Sequence, residues 1–319
     1  MRYSYPRRDG SRDPWLDRVS WRRFVPAGGA RPRQSHVEFW MRNSRRSFPR
    51  IAPAPLMPDI SRWGDEGIHA AWLGHSTVLL KINGYTVLTD PILSDRAGVD
   101  LRVCKVGIRR RVASALTFEH LPRLDLILLS HAHMDHFDIP SLRRLASPWT
   151  TIVTASGTSD LLRWRRYRSV NELNWGGSAR VDGLHVKAFQ VKHWGARYGS
   201  DHWRGYNGYV LEAGRRRVLF AGDTALTDTF RGLRSSRSID LAIMPIGAYN
   251  PNIHNHCSPE QAWRMGNEAG VEMFLPVHHQ TFLLGQEPLT EPIERFHRCA
   301  GNQSDRIGLH RIGQQVSMQ

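Results

Sequence analysis

Residues 126–138 read LILLSHAHMDHFD, and this stretch decides the fold. An apolar run ends at Ser130, and His131, His133, Asp135 and His136 then follow at once. A short apolar run closed by a turn signal reads as a buried strand, here residues 124–130. Extended backbone has period two, so His131 and His133 point the same way. A turn must follow for Asp135 and His136 to reach a neighbouring point. That arrangement suits two adjacent metals, with two imidazoles for one and a carboxylate plus an imidazole for the other. Both donor types are ordinary zinc ligands. A plain polar loop would not gather three histidines and an aspartate directly behind an apolar strand.

Outward from this stretch, short apolar runs predict strands at residues 68–73, 77–82 and 85–89. Asn83-Gly84 is a two-residue hairpin turn between the last two. Further strands are expected at 151–154, 184–191, 208–212, 218–221, 241–245 and 273–277. Helices are expected at 139–145, 259–269 and 292–299. Another is expected near 159–168, carrying Arg163, Arg165, Arg166 and Arg168. Mixed strands and helices with hairpins predict a layered α/β domain over residues 61–319 rather than a purely parallel, doubly wound one. Residues 1–60 stand apart as a basic extension, with 13 arginines against Asp9, Asp13, Asp17, Glu38 and Asp59. Their apolar positions lack a sustained period. Trp15, Trp21 and Trp40 can pack on the body or sit at a lipid interface.

Composition narrows the function. The 319 residues carry a formal charge of +15, and only Lys81, Lys105, Lys187 and Lys192 among the 44 basic residues are lysine. Genomic base composition accounts for such an arginine bias. The net charge itself draws a protein to phosphate-rich partners, whether nucleic acid, anionic lipid or a phosphorylated substrate. No apolar run has the length of a membrane-spanning helix. The basic N-terminus has no apolar segment behind it, so no secretory signal is expected. Cys104, Cys257 and Cys299 are scattered and odd in number, against a disulfide scaffold or a cysteine-ligated zinc site. A reduced, cytoplasmic setting follows as the expectation, with peripheral contact at the inner membrane face. No phosphate loop, dinucleotide fingerprint or serine nucleophile elbow is present. Gly74-His75-Ser76-Thr77-Val78 lacks the second glycine of the elbow.

The H-x-H-x-D-H pattern behind a strand resembles the metallo-β-lactamase superfamily. That resemblance implies an αββα sandwich with a dinuclear metal site, two Zn2+ or similar ions, between its sheets. Three further stretches look like the branch containing N-acyl-phosphatidylethanolamine phospholipase D. They are AWLGHSTVLLKINGYTVLTDPILSDRA (71–97), FAGDT (220–224) and LAIMPIGAYNP with HCSPEQA (241–262). Ascorbate-6-phosphate lactonases are more distant relatives. The likeness runs from about Trp72 to Leu309, and residues 1–60 match nothing.

By the same resemblance, His193 in QVKHWGAR joins His131 and His133 on the first metal, or else lies at the rim beside Trp194. Asp223 bridges both metals, and Gly222 before it lets backbone approach closely. His278 completes the second metal with Asp135 and His136. Where the family reads H-W-G-T-F, this chain has His278-His279-Gln280-Thr281-Phe282, so His279 competes for the role. Asp90 either orients a ligand imidazole or is a turn aspartate before Pro91. His256 either faces substrate, protonated, as a catalytic group or belongs to a helix cap. His75 either lines the floor or is a buried core histidine.

The implied reaction is attack by a metal-bridging hydroxide on phosphorus or a carbonyl. The expected function is a zinc-dependent phosphodiesterase acting on N-acyl-phosphatidylethanolamine-like phospholipid. The loop between Pro251 and His256 is shorter than in that branch, which leaves a small phosphodiester substrate open. A lactonase or esterase acting on a small phosphorylated ring, a nuclease, and a non-enzymatic basic module binding membrane or nucleic acid remain as alternatives. A di-iron redox role is disfavoured, because relatives of that kind carry a glutamate where His133 stands. A homo-oligomer is compatible with the sequence.

Overall fold

The computed structural model describes residues 50–100, 105–163 and 166–319. The chain divides into two units, 1–39 and 40–319, and all described residues belong to the second. The expectations for Trp15, Trp21, Trp40, Cys104 and Arg165 lie outside the described residues.

In chain order the first strands are β1 (Ile68–Gly74), β2 (Thr77–Ile82), β3 (Tyr85–Thr89), β4 (Arg96–Asp100) and β5 (Lys105–Arg109). Then come β6 (Leu126–Leu128), β7 (Thr151–Ala155), β8 (Ser169–Leu173), β9 (Ser178–Val181) and β10 (Leu184–Phe189). The last are β11 (Gly208–Ala213), β12 (Arg216–Phe220), β13 (Ile239–Pro245), β14 (Val271–Val277) and β15 (Gln315–Met318). The helices are α1 (Ile139–Leu145), α2 (Pro259–Ala269) and α3 (Glu291–Ala300). One sheet has the order β15-β1-β2-β3-β6-β7-β8, the other β14-β13-β12-β11-β10-β9, and β4-β5 form a separate hairpin.

The layers follow from which apolar faces meet. Val87 and Leu128 of the first sheet share one core with Tyr209, Leu211, Ile243 and Leu275 of the second, and Leu142 of α1 joins it. A second core lies on the other face of the second sheet, where Ala242, Met244 and Phe274 meet Ala262 and Met265 of α2 and Phe296 of α3. Helix, sheet, sheet, helix is the expected αββα sandwich. α2 begins on a reciprocal cap between Ser258 and Gln261 and stops at Gly270, which is left-handed at φ 78°.

The strand directions position the site. β3, β6, β7 and β8 run parallel, as do β12, β13 and β14. β1 is antiparallel to β2, which is antiparallel to β3, so β1 and β3 point alike. β10 matches β12 through β11 in the same way. In open α/β sheets ligands bind beyond the carboxyl ends of the strands. Here that end carries His75 after β1, Asp90 after β3, His131 after β6, His193 after β10, Asp223 after β12 and His278 after β14.

The opposite end is tied by polar contacts. Asn83 and Gly84 both have positive φ, as the two-residue turn requires. Asn83 Nδ2 reaches across to donate to Ala213 O of the second sheet at 2.7 Å. Gly183 N–H donates to Tyr85 Oη at 3.0 Å.

Two expectations are corrected. Among the described residues of 159–168 there is no α-helix: a single 3-10 turn at Ser159–Leu161 precedes β8. The Glu172 carboxylate accepts the backbone N–H groups of Gly157, Thr158 and Ser159 and so fastens the start of that turn to β8. Arg168 pairs with Asp182. The hairpin β4-β5 and the short strands β8, β9 and β15 were also not anticipated. The ordered body reaches back beyond residue 60, since Ala52 bridges Val112.

Candidate metal centre

The loops after β6 and β10 together bring three imidazole nitrogens to one point. His131 Nε2 lies 2.7 Å from His133 Nδ1, and His193 Nε2 lies 3.2 Å from the same atom. Hydrogen bonds fix the tautomers. His193 Nδ1–H donates to Asn255 O at 2.9 Å. His131 Nδ1–H meets Ser130 Oγ at 2.8 Å, and that hydroxyl is itself donated to Asp90 Oδ2. Nε2 of His131 and Nε2 of His193 therefore face the centre as lone pairs, beside His133 Nδ1. Burial pushes all three imidazoles toward the neutral form, His133 to about 4 and His193 to about 3, with His131 well below the usual range. Neutral imidazole is the form that binds metal.

A second set faces the first. Asp223 Oδ2 lies 3.1 Å from His278 Nε2 and 3.2 Å from His136 Nε2. Asp135 Oδ2 lies 3.5 Å from His136 Nε2 and 3.6 Å from His278 Nε2. His136 Nδ1 is committed to Asp90 Oδ2 at 2.6 Å. The second oxygen of Asp223 and Nε2 of both histidines are buried without a hydrogen-bond partner. Burial opposes a charged imidazole here, but the carboxylates overcome it. Asp223, Asp135 and Asp90 hold His136 well above the usual range, and Asp223 with Asp135 pushes His278 up to about 9. Burial likewise opposes a charged Asp223, and His136 and His278 draw it well below the usual carboxylate range. The site demands positive charge at its centre. Orphaned lone pairs converging on buried carboxylates fit divalent cations, so the residues present suit the expected group.

Asp223 Oδ2 also lies 3.7 Å from His193 Nε2, which places this one oxygen between the two sets. Gly222 has φ 59°, and a Cβ there would lie 2.7 Å from Ser130 Cβ, so only glycine lets this loop close on the first sheet. Asp90, His75 and His278 themselves hold left-handed backbone. Such conformations in residues other than glycine cost about 1–3 kcal/mol each and collect at functional sites.

The remaining residues separate clearly. His75 Nε2 contacts Asp135 Oδ2 at 3.0 Å, so it holds that carboxylate from behind. Asp90 braces His136, Ser130 and, through Ser130, His131. His279 turns away, tilted against Trp72 with ring centres 4.6 Å apart, whereas His278 reaches Asp223. His256 Nδ1 lies 3.7 Å from Asp223 Oδ2. Burial pushes His256 down to about 3, toward the neutral imidazole. Sequence reasoning missed Ser130 and the Asn255 carbonyl as tautomer-fixing partners. Ser130 was legible in principle, as a hydroxyl directly before the first imidazole of the motif; a backbone carbonyl leaves no sequence signal. Trp194, with its ring 4.5 Å from that of His133 and 4.3 Å from that of His193, roofs the first set.

A family model described as a beta-lactamase superfamily domain matches residues 85–279. The chain belongs to the metallo-β-lactamase superfamily. An uncharacterized protein of Mycobacterium tuberculosis is 34% identical over 289 residues, spanning 87% of this chain and 76% of that protein. The N-acyl-phosphatidylethanolamine-hydrolyzing phospholipase D 1 of Caenorhabditis elegans is 30% identical over 253 residues, 73% of this chain and 69% of its own length. The solved structure of a metallo hydrolase from Ignicoccus hospitalis aligns with a TM-score of 0.59 at 19% identity, over 79% of this chain and 98% of that one. That last likeness speaks for the superfamily fold alone.

Proposed function

We propose that the chain is a metal-dependent hydrolase that cleaves phosphodiesters, with an N-acyl-phosphatidylethanolamine-like phospholipid as its substrate class. The observation that carries the hydrolase reading is the meeting of two donor sets at Asp223 Oδ2. His131, His133 and His193 would hold one ion; Asp135, His136 and His278 would hold the other. Nitrogen-rich donors with carboxylates suit zinc. When bound, such ions lower the pKa of water to about 7 and neutralise charge gathering on phosphoryl oxygens.

The chain's own residues do the rest. Asp223 spans the two sets and fixes their separation. Asp90, Ser130 and Asn255 hold the imidazoles of His136, His131 and His193 in the tautomer that aims the lone pair inward. His75 keeps the Asp135 carboxylate from rotating. His256, on the Asp223 side, offers a neutral ring whose N–H can donate to a phosphoryl or leaving-group oxygen. Trp194 covers the imidazoles of the first set.

The substrate class is supported by the likeness to the nematode phospholipase and by the chain's positive charge. Docking on an anionic bilayer is assigned to residues 1–60, where each basic group near such a surface contributes roughly 1 kcal/mol. Among the described residues no helix is long and apolar enough to cross a membrane.

A four-substrate comparison tests the reading. Metal-loaded protein is assayed on N-acyl-phosphatidylethanolamine vesicles, a bis-aryl phosphodiester, a lactone and RNA, with metal content measured alongside. The expected result is two ions per chain and turnover of both phosphodiesters, fastest on the vesicles. Turnover of the lactone alone, or of RNA alone, overturns the substrate class. One ion or none per chain overturns the paired site.

A further inference from the structure

A cavity of about 370 Å³ lies beside the metal-ligand loop, and none of its lining residues belongs to the donor sets. Its size falls within the range of small-molecule sites. Ile139, Pro140 and Leu161 give it an apolar floor, while Arg143, Arg163 and Arg197 stand on its wall. Arg204 and Asp160 line it too, but they satisfy each other through two hydrogen bonds, and Arg204 also pairs with Asp201. Asp100 is the other carboxylate on the wall. Positive charge therefore prevails inside.

Arg197 is the unusual member. It is 9% exposed, and no carboxylate pairs with it among the described residues. Its Nη1 donates to Ala132 O at 2.8 Å and Phe137 O at 2.9 Å, the two carbonyls that bracket His133 to His136. Its Nε reaches Tyr198 Oη at 3.3 Å. Among the described residues its charge is met by neutral oxygens and by the rings of Phe137 and Tyr198, and Nη2 makes no hydrogen bond there. A buried guanidinium without a counter-anion is costly, and an arginine fork matches the oxygens of a phosphate. We propose that this cavity is a second binding site, taking a phosphomonoester group, free or carried on a small organic body.

The site binds the anion through Arg197 Nη2, with Arg163 and Arg143 completing the charge, and seats any organic part on Ile139 and Leu161. It lies one side chain away from the metal-ligand loop, because the guanidinium that meets the phosphate also holds that loop's carbonyls. Phosphomonoesters are also the product class of phosphodiester cleavage and would bind the metal centre too, so the binding counted for this site is the part that the cavity variants remove. The test therefore stands apart from the phosphodiesterase reading.

The test is calorimetry on the full, metal-loaded chain with glycerol 3-phosphate, inorganic phosphate and decanoate. Wild type is compared with Arg163→Ser, a change at an exposed wall residue, and with Leu161→Trp, which fills the cavity. Circular dichroism and melting establish that each variant is folded. We expect phosphate binding in wild type to weaken by about tenfold or more in both variants while metal content stays the same, since a hydrogen bond to a charged group contributes about 1.5–3 kcal/mol. Equal affinity for both phosphates assigns the site to the ion itself; tighter binding of glycerol 3-phosphate assigns it to an organic phosphomonoester. Unchanged phosphate binding in folded Arg163→Ser overturns the site. Decanoate binding tighter than either phosphate overturns the ligand class.

Discussion

The two sheets furnish the candidate metal centre in opposite ways. The first sheet supplies four donors, His131, His133, Asp135 and His136, from one continuous loop after β6, braced by Asp90. The second sheet supplies single residues from separate loops: His193, Asp223, His256 and His278. The first half is therefore a local feature of sequence, while the second exists only once β10, β12, β13 and β14 lie side by side. The difference teaches where the site is robust. Losing one donor from the continuous loop leaves neighbours on the same backbone, whereas Asp223 has no substitute.

The largest expected effect tests that asymmetry directly. Asp223→Ala removes the oxygen between the two sets, and we expect loss of at least one ion per chain and a kcat/KM fall beyond ~10⁴-fold, larger than any single hydrogen-bond donor supplies. Wild-type rates in Asp223→Ala would break the comparison. His256→Ala ranks second. With both donor sets intact, a fall of roughly 10²–10⁴-fold in kcat is expected at unchanged metal content. A loss of metal in this variant would move His256 into the ligand set. Asp90→Asn ranks third, because it alters the support of His136 without removing a donor. Metal affinity should weaken by about 10–100-fold, read by competition with a chelator. His75→Phe ranks last. It frees Asp135 but keeps the buried ring volume, and a shift in metal affinity smaller than that of Asp90→Asn is expected. A larger shift would make His75 a ligand in its own right.

Legibility followed the same asymmetry. The H-x-H-x-D-H loop could be read from period two and a turn alone. The ranges of β2, β3, α1 and α2 were also plain, since each carries strong apolar pattern, a defined turn or a cap. Asp223, His193 and His278 were reached only through likeness to known sequences, because nothing local marks a lone aspartate or histidine after a strand. The choice between His278 and His279 needed the backbone: adjacent residues point to different sides, and only the fold shows which side holds Asp223. Near residue 160 the expected helix gave way to a single turn at Ser159–Leu161, because the chain is taken up into β8 from Ser169. Edge strands such as β9 and β15, half exposed and polar, lacked the hydrophobic signal that strand reading depends on.

The polar ties at the far end of the sandwich carry a mechanical consequence. Asn83 and Tyr85 fasten the two sheets there, while at the opposite end the sheets face each other through clustered lone pairs and carboxylates. The molecule is thus built like a clothes peg, with its spring at Asn83 and its jaws at Asp223. Removing the ions should let the jaws part while the spring holds. Amide exchange after chelation would then quicken at the loops around residues 131–137 and 222–224 and stay slow at Gly67 and Gly183. The grip between the sheets would be, in part, the metal itself.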